Sequence, residues 1–249
     1  MNIKKIDDPE FRKALISTFT ERDNPRRFQI HFTDLIVCLC CSAMHKVLPE
    51  EATDERYDAI LTWTRGLAFD STITSRMSGK TAVEIDGTMG EIDMMFQDMP
   101  YELTSSVFIS NRVKQSDDLD GKYQYKQQQL RFYMAAIGST RGRLKIVEVA
   151  KSNSDTRDHT WEIEMTPLEL ARDRIILVNR KNILKHALRT GSLAQMERLS
   201  NIYCPILKDS RCIDPETSLC KNLRQQNWTE SWKQWRLHPE AIRLLGGRN

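Results

Sequence analysis

The sequence lacks any long uninterrupted hydrophobic run, and this absence excludes several classes of protein. No apolar stretch approaches the roughly 18 residues that a membrane-spanning helix requires. Residues 1–8 are charged and contain no apolar region of the kind found in secretory signals. Glycine and proline are scarce, with 10 and 8 residues respectively, which argues against a collagen-like or disordered chain. We therefore expect a cytoplasmic globular protein of 249 residues, long enough for a proper hydrophobic core.

Cysteine is absent from the whole middle of the chain and is confined to two groups near its ends. The groups are Cys38, Cys40 and Cys41, and then Cys204, Cys212 and Cys220. In a cytosolic chain such clustering favours a metal or redox site over disulfide bonds. The last three cysteines together with Cys38 make four thiolates, which suit either a [4Fe–4S] cluster or tetrahedral zinc. Cys40 and Cys41 fall outside this set, and six unrelated buried cysteines are the alternative.

The net charge is only +3, but the basic residues concentrate toward the C-terminal end of the sequence. A basic surface can face phosphate groups, but two differently charged solvated surfaces are the explanation that we favour from charge alone. Three of the five tryptophans, Trp228, Trp232 and Trp235, lie at helical spacing in this region. They suit either stacking on the bases of single-stranded DNA or docking of a C-terminal helix on the core, and we favour docking.

The hydrophobic periodicity changes along the chain and predicts a mixed α/β or α+β core. Helical spacing is found over residues 54–76, 126–137, 166–189 and 227–236, whereas β-leaning stretches cover 82–86, 90–96, 101–109, 143–149 and 161–165. Residues 166–169 form a capping box with proline at the first helical position, and Gly191 is the expected stop. Asp34 is expected to cap a short helix. We expect one domain, with an N-terminal helical segment (28–76), a core (77–190), a cysteine segment (191–225) and a C-terminal helix (226–249).

Two acidic residues in the middle of the chain are candidates for a metal site. Asp93 follows Gly90 on one predicted strand, and Glu102 lies on the next, where a hairpin would place the two side by side. Such a pair can hold Mg²⁺ or Mn²⁺, which then activates a water and neutralises a phosphodiester. The alternative is that one or both are solvated strand residues. Gln129 and Tyr133 lie one helical turn apart and can either organise this site or be an ordinary core and surface pair.

The order of these motifs resembles that of the RecB-like PD-(D/E)XK nucleases, in particular the CRISPR-associated RecB-like exonucleases that carry an iron–sulfur cluster. The matching elements are Asp34-Leu35-x-x-Cys38, a glycine-led helix, Gly90-x-x-Asp93, Glu102-x-Thr104, Gln129-x-x-x-Tyr133, a long helix and the three late cysteines. The resemblance covers roughly residues 28–225. It implies a restriction-endonuclease-like core with a central mixed sheet flanked by helices.

The resemblance also implies an activity, cofactors and site residues. It implies Mg²⁺ or Mn²⁺ held by Asp93, Glu102, the Leu103 carbonyl oxygen and Asp70, with Gln129 and Tyr133 organising the site. It favours a [4Fe–4S] cluster on Cys38, Cys204, Cys212 and Cys220 over zinc. The implied function is exonuclease cleavage of single-stranded DNA ends, in CRISPR spacer acquisition or in DNA repair, with adaptation or repair proteins as partners. Ring-shaped oligomers occur in the resembled family.

The sequence departs from the resembled pattern at two positions. Thr104 stands where the family has a lysine that orients the attacking water, and Asp70 stands where the family has a histidine ligand. Lys80 is a candidate replacement for the lost lysine. The second hypothesis is a DNA-binding or complex-forming subunit without catalysis, and the third is a zinc-stapled interaction module in which the acidic pair is incidental.

Overall fold

A four-stranded mixed sheet lies at the centre of the part of the chain that the structure describes. The computed structural model describes residues 27–36, 39–48, 79–106, 122–148, 157–192 and 228–246, together with positions 10 and 72. The sheet has the strand order β3 (Met94–Phe96), β4 (Met99–Ser106), β5 (Arg141–Glu148) and β6 (Arg157–Glu164). The central pair β4–β5 is parallel and the two outer pairs are antiparallel. A separate antiparallel hairpin pairs β1 (Thr81–Ile85) with β2 (Thr88–Ile92).

Helices flank the sheet, and the most important for the site is the one between its two central strands. The described helices are α1 (Phe32–Ile36), α2 (Leu39–Val47), α3 (Lys122–Ile137), α4 (Pro167–Thr190), α5 (Trp228–Arg236) and α6 (Pro239–Leu245). Parallel neighbours such as β4 and β5 need a crossover connection, and α3 lies in it. Leu130 and Met134 of α3 form a buried cluster with Leu144 and Ile146 of β5. This packing fixes α3 against one face of the sheet, and the predicted mixed α/β class is confirmed.

The long helix α4 begins and ends where the sequence predicts. Thr166 accepts a hydrogen bond from the Glu169 N–H at 3.2 Å and donates its own N–H to the Glu169 carboxylate at 2.8 Å. Gly191 closes the helix with a φ of 67°, and its N–H donates to the Ala187 carbonyl at 2.9 Å. On the side facing α3, Asp173 is 1% exposed and accepts two hydrogen bonds from the Arg131 guanidinium at 2.8 and 2.9 Å. This ion pair joins α4 to α3.

The N-terminal helices pack together around a buried lysine. Asp34 is the third residue of α1 rather than the residue before the helix, and its carboxylate accepts the His31 N–H at 2.8 Å, so it caps the helix from within the first turn. Lys46 of α2 is 2% exposed and lies 2.8 Å from the same carboxylate, and it also donates to the Gln29 carbonyl at 2.6 Å. Asp34 is therefore both a helix cap and the ion-pair partner that joins α1 to α2.

The C-terminal tryptophans dock against the end of α4. Trp228 and Trp235 are 2% and 4% exposed. The Trp228 indole N–H donates to the Gly191 carbonyl at 3.2 Å, and the Trp232 indole N–H donates to the Leu188 carbonyl at 2.7 Å. The docking interpretation is therefore confirmed. The rings pack against the protein, and two of their N–H groups donate to carbonyls at the end of α4 that have no partner within the helix.

The remaining secondary-structure predictions differ in detail from what is found. The stretch 90–96, predicted as one strand, divides at Asp93 into β2 and β3, which belong to different sheets. The helix predicted from 126 starts at Lys122. The predicted helix 54–76, apart from position 72, and most of the cysteine segment lie outside the described residues. Within the described ranges, no helix is both long and apolar enough to cross a membrane.

Candidate functional site

The two predicted acidic residues meet at the end of the β3–β4 pair that lies away from the turn between the two strands. These strands pair with Met94 opposite Tyr101, and the same register places Asp93 opposite Glu102. The Leu103 N–H donates to the Asp93 carboxylate at 2.9 Å, which ties Asp93 to the strand that carries Glu102. Asp93 is 8% exposed and Glu102 is fully buried. The two acids therefore lie side by side as predicted and neither is solvated, but Asp93 lies between β2 and β3 rather than on a strand.

Gly90 allows the chain to bring Asp93 to this place. A Cβ atom at position 90 would lie 2.6 Å from Cδ2 of the buried Phe32 ring in α1. Only glycine lets β2 pass so close to α1 without moving that ring. The Gly90-x-x-Asp93 pattern thus has a packing reason, which is the close approach of β2 to α1 just before the acidic residue.

Helix α3 lays three polar side chains against the acidic pair. Lys126, Gln129 and Tyr133 recur at the spacing of one helix face. The Lys126 ammonium lies 2.5 Å from Oε1 of Glu102, and the Gln129 amide N–H donates to the Tyr133 hydroxyl at 2.7 Å. Lys126 is 24% exposed along its side chain, whereas Gln129 and Tyr133 are buried. The structure therefore brings Gln129 and Tyr133 to the site where the sequence predicts them.

The pKa values of these side chains are shifted because the groups are buried next to two carboxylates. Burial raises the pKa of Asp93, while the Leu103 N–H and the charges of Lys126 and Lys80 act in the opposite direction. Burial followed by the charge of Glu102 raises the pKa of Tyr133. Burial is the largest single influence on Lys126 and would lower its pKa, but the Glu102 carboxylate, together with Tyr125 and Asp93, raises that pKa above its ordinary value. The lysine is therefore held in its charged form by the acid that it contacts.

Lys126 is the site residue that sequence reasoning missed. The predicted replacement for the lost lysine, Lys80, instead lies 3.2 Å from the Glu91 carboxylate at the surface. Thr104, at the family's lysine position, is half-buried on β4, two residues after Glu102 and on the same face of the strand. One signal in the sequence pointed to Lys126, namely its position three residues before Gln129 on the face already assigned to the site.

The donor atoms present suit a hard divalent cation. Asp93 and Glu102 offer carboxylate oxygens, and the Oε1 atom of Gln129 is buried without a hydrogen-bond partner among the described residues. Oxygen donors of this kind are those that Mg²⁺ and Mn²⁺ prefer. Leu103, expected to contribute its carbonyl oxygen, is seen here donating its N–H to Asp93. The residues present therefore fit such an ion.

The other predicted ligands belong to segments that the structure does not describe. Asp70, Cys38, Cys204, Cys212 and Cys220 lie outside the described residues, and Cys40 and Cys41 lie on α2 with undescribed side chains. Within the described ranges, no group of three or more His, Cys, Asp or Glu side chains is arranged to hold a metal ion. The acidic pair supplies two such ligands, so a third protein carboxylate would have to come from elsewhere.

Comparisons with known proteins add little to this picture. No protein-family model matches the sequence, and no curated protein matches it. Among solved structures, one described as "Crystal structure of SSO0001" is similar over 67% of this chain and 86% of its own, with 18% sequence identity and a TM-score of 0.40. A likeness this weak carries no argument about fold family or activity.

Proposed function

We propose that this protein is a metal-dependent DNA nuclease of the RecB-like PD-(D/E)XK type, acting as an exonuclease on single-stranded ends. The observation that carries the proposal is the meeting of Asp93, Glu102, Gln129 and Tyr133 at one place. They are the residues that the order of the short sequence motifs indicates as a site. Acidic side chains that have no shared function are usually far apart and exposed to water.

Each side chain has a separate task in this proposal. Asp93 and Glu102 hold the divalent ion, and the buried Oε1 atom of Gln129 accepts a hydrogen bond from a water or contributes an oxygen to the ion. Tyr133 holds the Gln129 amide in place through its hydroxyl. The ion, when bound, activates a water and offsets the charge that develops on the phosphate. The raised pKa of Tyr133 keeps its hydroxyl protonated, so it can also donate a hydrogen bond.

The test is cleavage of end-labelled single-stranded DNA in the presence of Mn²⁺, using protein purified without oxygen. Asp93→Asn removes one carboxylate of the site. Asp98→Asn is the matched control, because Asp98 is exposed at the turn between β3 and β4 and has a φ of 60° that asparagine tolerates. We expect wild type and Asp98→Asn to cleave and Asp93→Asn to lose at least about a hundredfold in rate. Equal cleavage by both variants would show that the acidic pair is not the active site.

A second candidate function is favoured by Thr104, which carries no charge at the family's lysine position. In this case the protein is a DNA-binding or complex-forming subunit that does not cleave. Thr104→Lys separates the possibilities. An inactive wild type that gains cleavage through this substitution is a nuclease disarmed at one position. DNA binding without cleavage in either protein favours the non-catalytic subunit.

The cysteine segments support a further part of the proposal, a [4Fe–4S] cluster held by Cys38, Cys204, Cys212 and Cys220. Its four ligands come from both ends of the sequence, so the cluster would join them around the core. Iron and labile sulfide in purified protein support this assignment. Zinc in their place favours the third hypothesis, an interaction module in which the acidic pair is incidental.

A further inference from the structure

We propose that Lys126 supplies the positive charge that Thr104 cannot, so that helix α3 rather than strand β4 carries the cationic group of the site. This inference rests on the proposed nuclease function. It starts from one contact, in which the Lys126 ammonium lies 2.5 Å from Oε1 of the fully buried Glu102. A lysine at position 104 would extend from the same face of β4 as Glu102. Lys126 reaches the Glu102 carboxylate from helix α3, which packs against the sheet.

The surroundings of Lys126 leave it able to act on a substrate. Its side chain is 24% exposed, whereas Gln129 and Tyr133 on the same helix face are buried. The flexible four-carbon stem of a lysine allows the ammonium to move by several ångströms without moving the helix. Lys80, the other basic candidate, is 36% exposed and engaged with Glu91. Among the lysines described near the site, Lys126 is therefore the one in direct contact with an acid of the pair.

The contact gives Lys126 two tasks, one before and one after a divalent ion binds. Without the ion, its ammonium neutralises Glu102, whose burial as an unpaired carboxylate would be costly. A divalent ion and the ammonium then compete for the same carboxylate. Once the ion holds Glu102, the ammonium is free to contact the attacking water or a phosphate oxygen. Lys126 thus opposes ion binding and favours cleavage, a combination that a purely structural lysine would not produce.

The first experiment measures Mn²⁺ binding by the protein without DNA, from the electron paramagnetic resonance signal of the free ion. Lys126→Met removes the competing charge while keeping the length of the side chain. Lys80→Met is the matched control, because it removes a positive charge that also acts on Asp93 but does not contact Glu102. We expect Lys126→Met to bind Mn²⁺ about tenfold more tightly and Lys80→Met to change affinity by less than about twofold. Unchanged affinity in Lys126→Met would overturn the inference.

The second experiment measures DNA cleavage by the same variants. We expect Lys126→Met to lose cleavage although it binds Mn²⁺ more tightly, and Lys126→Arg to retain part of the activity. Adding Thr104→Lys to Lys126→Met should restore cleavage, because the charge then comes from β4. Full cleavage by Lys126→Met overturns the inference, as does a double variant that is folded, binds Mn²⁺ and does not cleave.

The two experiments separate this inference from the function on which it rests. If neither the wild-type protein nor any of the lysine variants cleaves DNA with Mn²⁺, the proposed nuclease function is wrong. The Mn²⁺ titration then still decides the contact between Lys126 and Glu102. Tighter binding in Lys126→Met supports competition for the carboxylate, and unchanged binding rejects it. Thermal unfolding of Lys126→Met and Lys126→Arg shows whether either variant has lost its fold.

Discussion

Replacing Gly191 with alanine should destabilise the protein much more than the same replacement at Gly138. Both glycines have positive φ, 67° and 74°, so alanine would be strained at either position. They differ in their surroundings. A Cβ atom at Gly138 would have no atom within 4 Å, whereas one at Gly191 would lie 2.5 Å from Cε2 of Trp232. The pair therefore separates the backbone effect from the packing effect.

The expected magnitudes follow from these contacts. The left-handed conformation costs alanine about 1 kcal/mol at each position. At Gly191 the Trp232 ring must also move, and its indole N–H donates to the Leu188 carbonyl at 2.7 Å. Losing that bond costs about 1 kcal/mol. Disturbed packing of the aromatic ring costs about 1 kcal/mol more. Gly191→Ala should therefore lose about 3 kcal/mol of unfolding free energy, against about 1 kcal/mol for Gly138→Ala.

The assay is urea unfolding followed by far-ultraviolet circular dichroism, with the free energy extrapolated to water for each variant. A third measurement makes the test specific: in a Trp232→Ala background, Gly191→Ala should cost no more than Gly138→Ala does in the wild type. Equal losses for the two single variants would refute the reasoning. They would mean that α5 does not hold Trp232 against the end of α4 in solution.

Three further predictions concern the ion pairs and the cysteines. Arg131→Met should cost about 3 kcal/mol in urea unfolding and Asp173→Asn about 1 kcal/mol, because only the first leaves a buried carboxylate without its ion-pair partner. Burial raises the pKa of Asp173, so the loss in Arg131→Met should shrink as the pH falls through that pKa. The contact with Glu102 raises the pKa of Lys126, so this ion pair stabilises the fold fully below about pH 10. The stabilisation is lost as the pH rises further. The stability of Lys126→Met should therefore approach that of the wild type at alkaline pH. Cys204→Ser should lower the iron and labile sulfide content measured by colorimetric assay, and unchanged content would exclude Cys204 as a ligand.

The sequence predicted correctly those helix ends that depend only on neighbouring residues. The capping box at Thr166 and the stop at Gly191 are found where expected, since both depend on residues within one helical turn. The hairpin that pairs Asp93 with Glu102 was also predicted, because the chain between them is too short for another arrangement of two strands. The division of the stretch 90–96 at Asp93 was missed. Alternating residues show that a chain is extended but not which sheet it joins.

Contacts between elements distant in sequence could not be predicted in the same way. Nothing local indicates that β4 pairs in parallel with β5, or that Arg131 of α3 meets Asp173 of α4. Lys126 illustrates the limit most clearly. The resemblance implies a lysine at position 104 and Lys80 was the candidate replacement, whereas the lysine that contacts Glu102 comes from a helix that packs over that strand. Which lysine reaches Glu102 depends on tertiary packing, and no local pattern indicates it.

Asp93 is the single residue between β2 and β3, and so it connects the two-stranded sheet to the four-stranded one. Glu102, by contrast, lies inside the larger sheet with strands on both sides. A rotation of the β1–β2 hairpin would therefore act first on Asp93, and the hydrogen bond from the Leu103 N–H to the Asp93 carboxylate would resist that shift. That hairpin is bonded to the N-terminal segment through the Met89 N–H and the Ile30 carbonyl, at 3.0 Å. Strain applied to the N-terminal segment would in this way act on Asp93, the acid of the pair that lies at the junction of the two sheets.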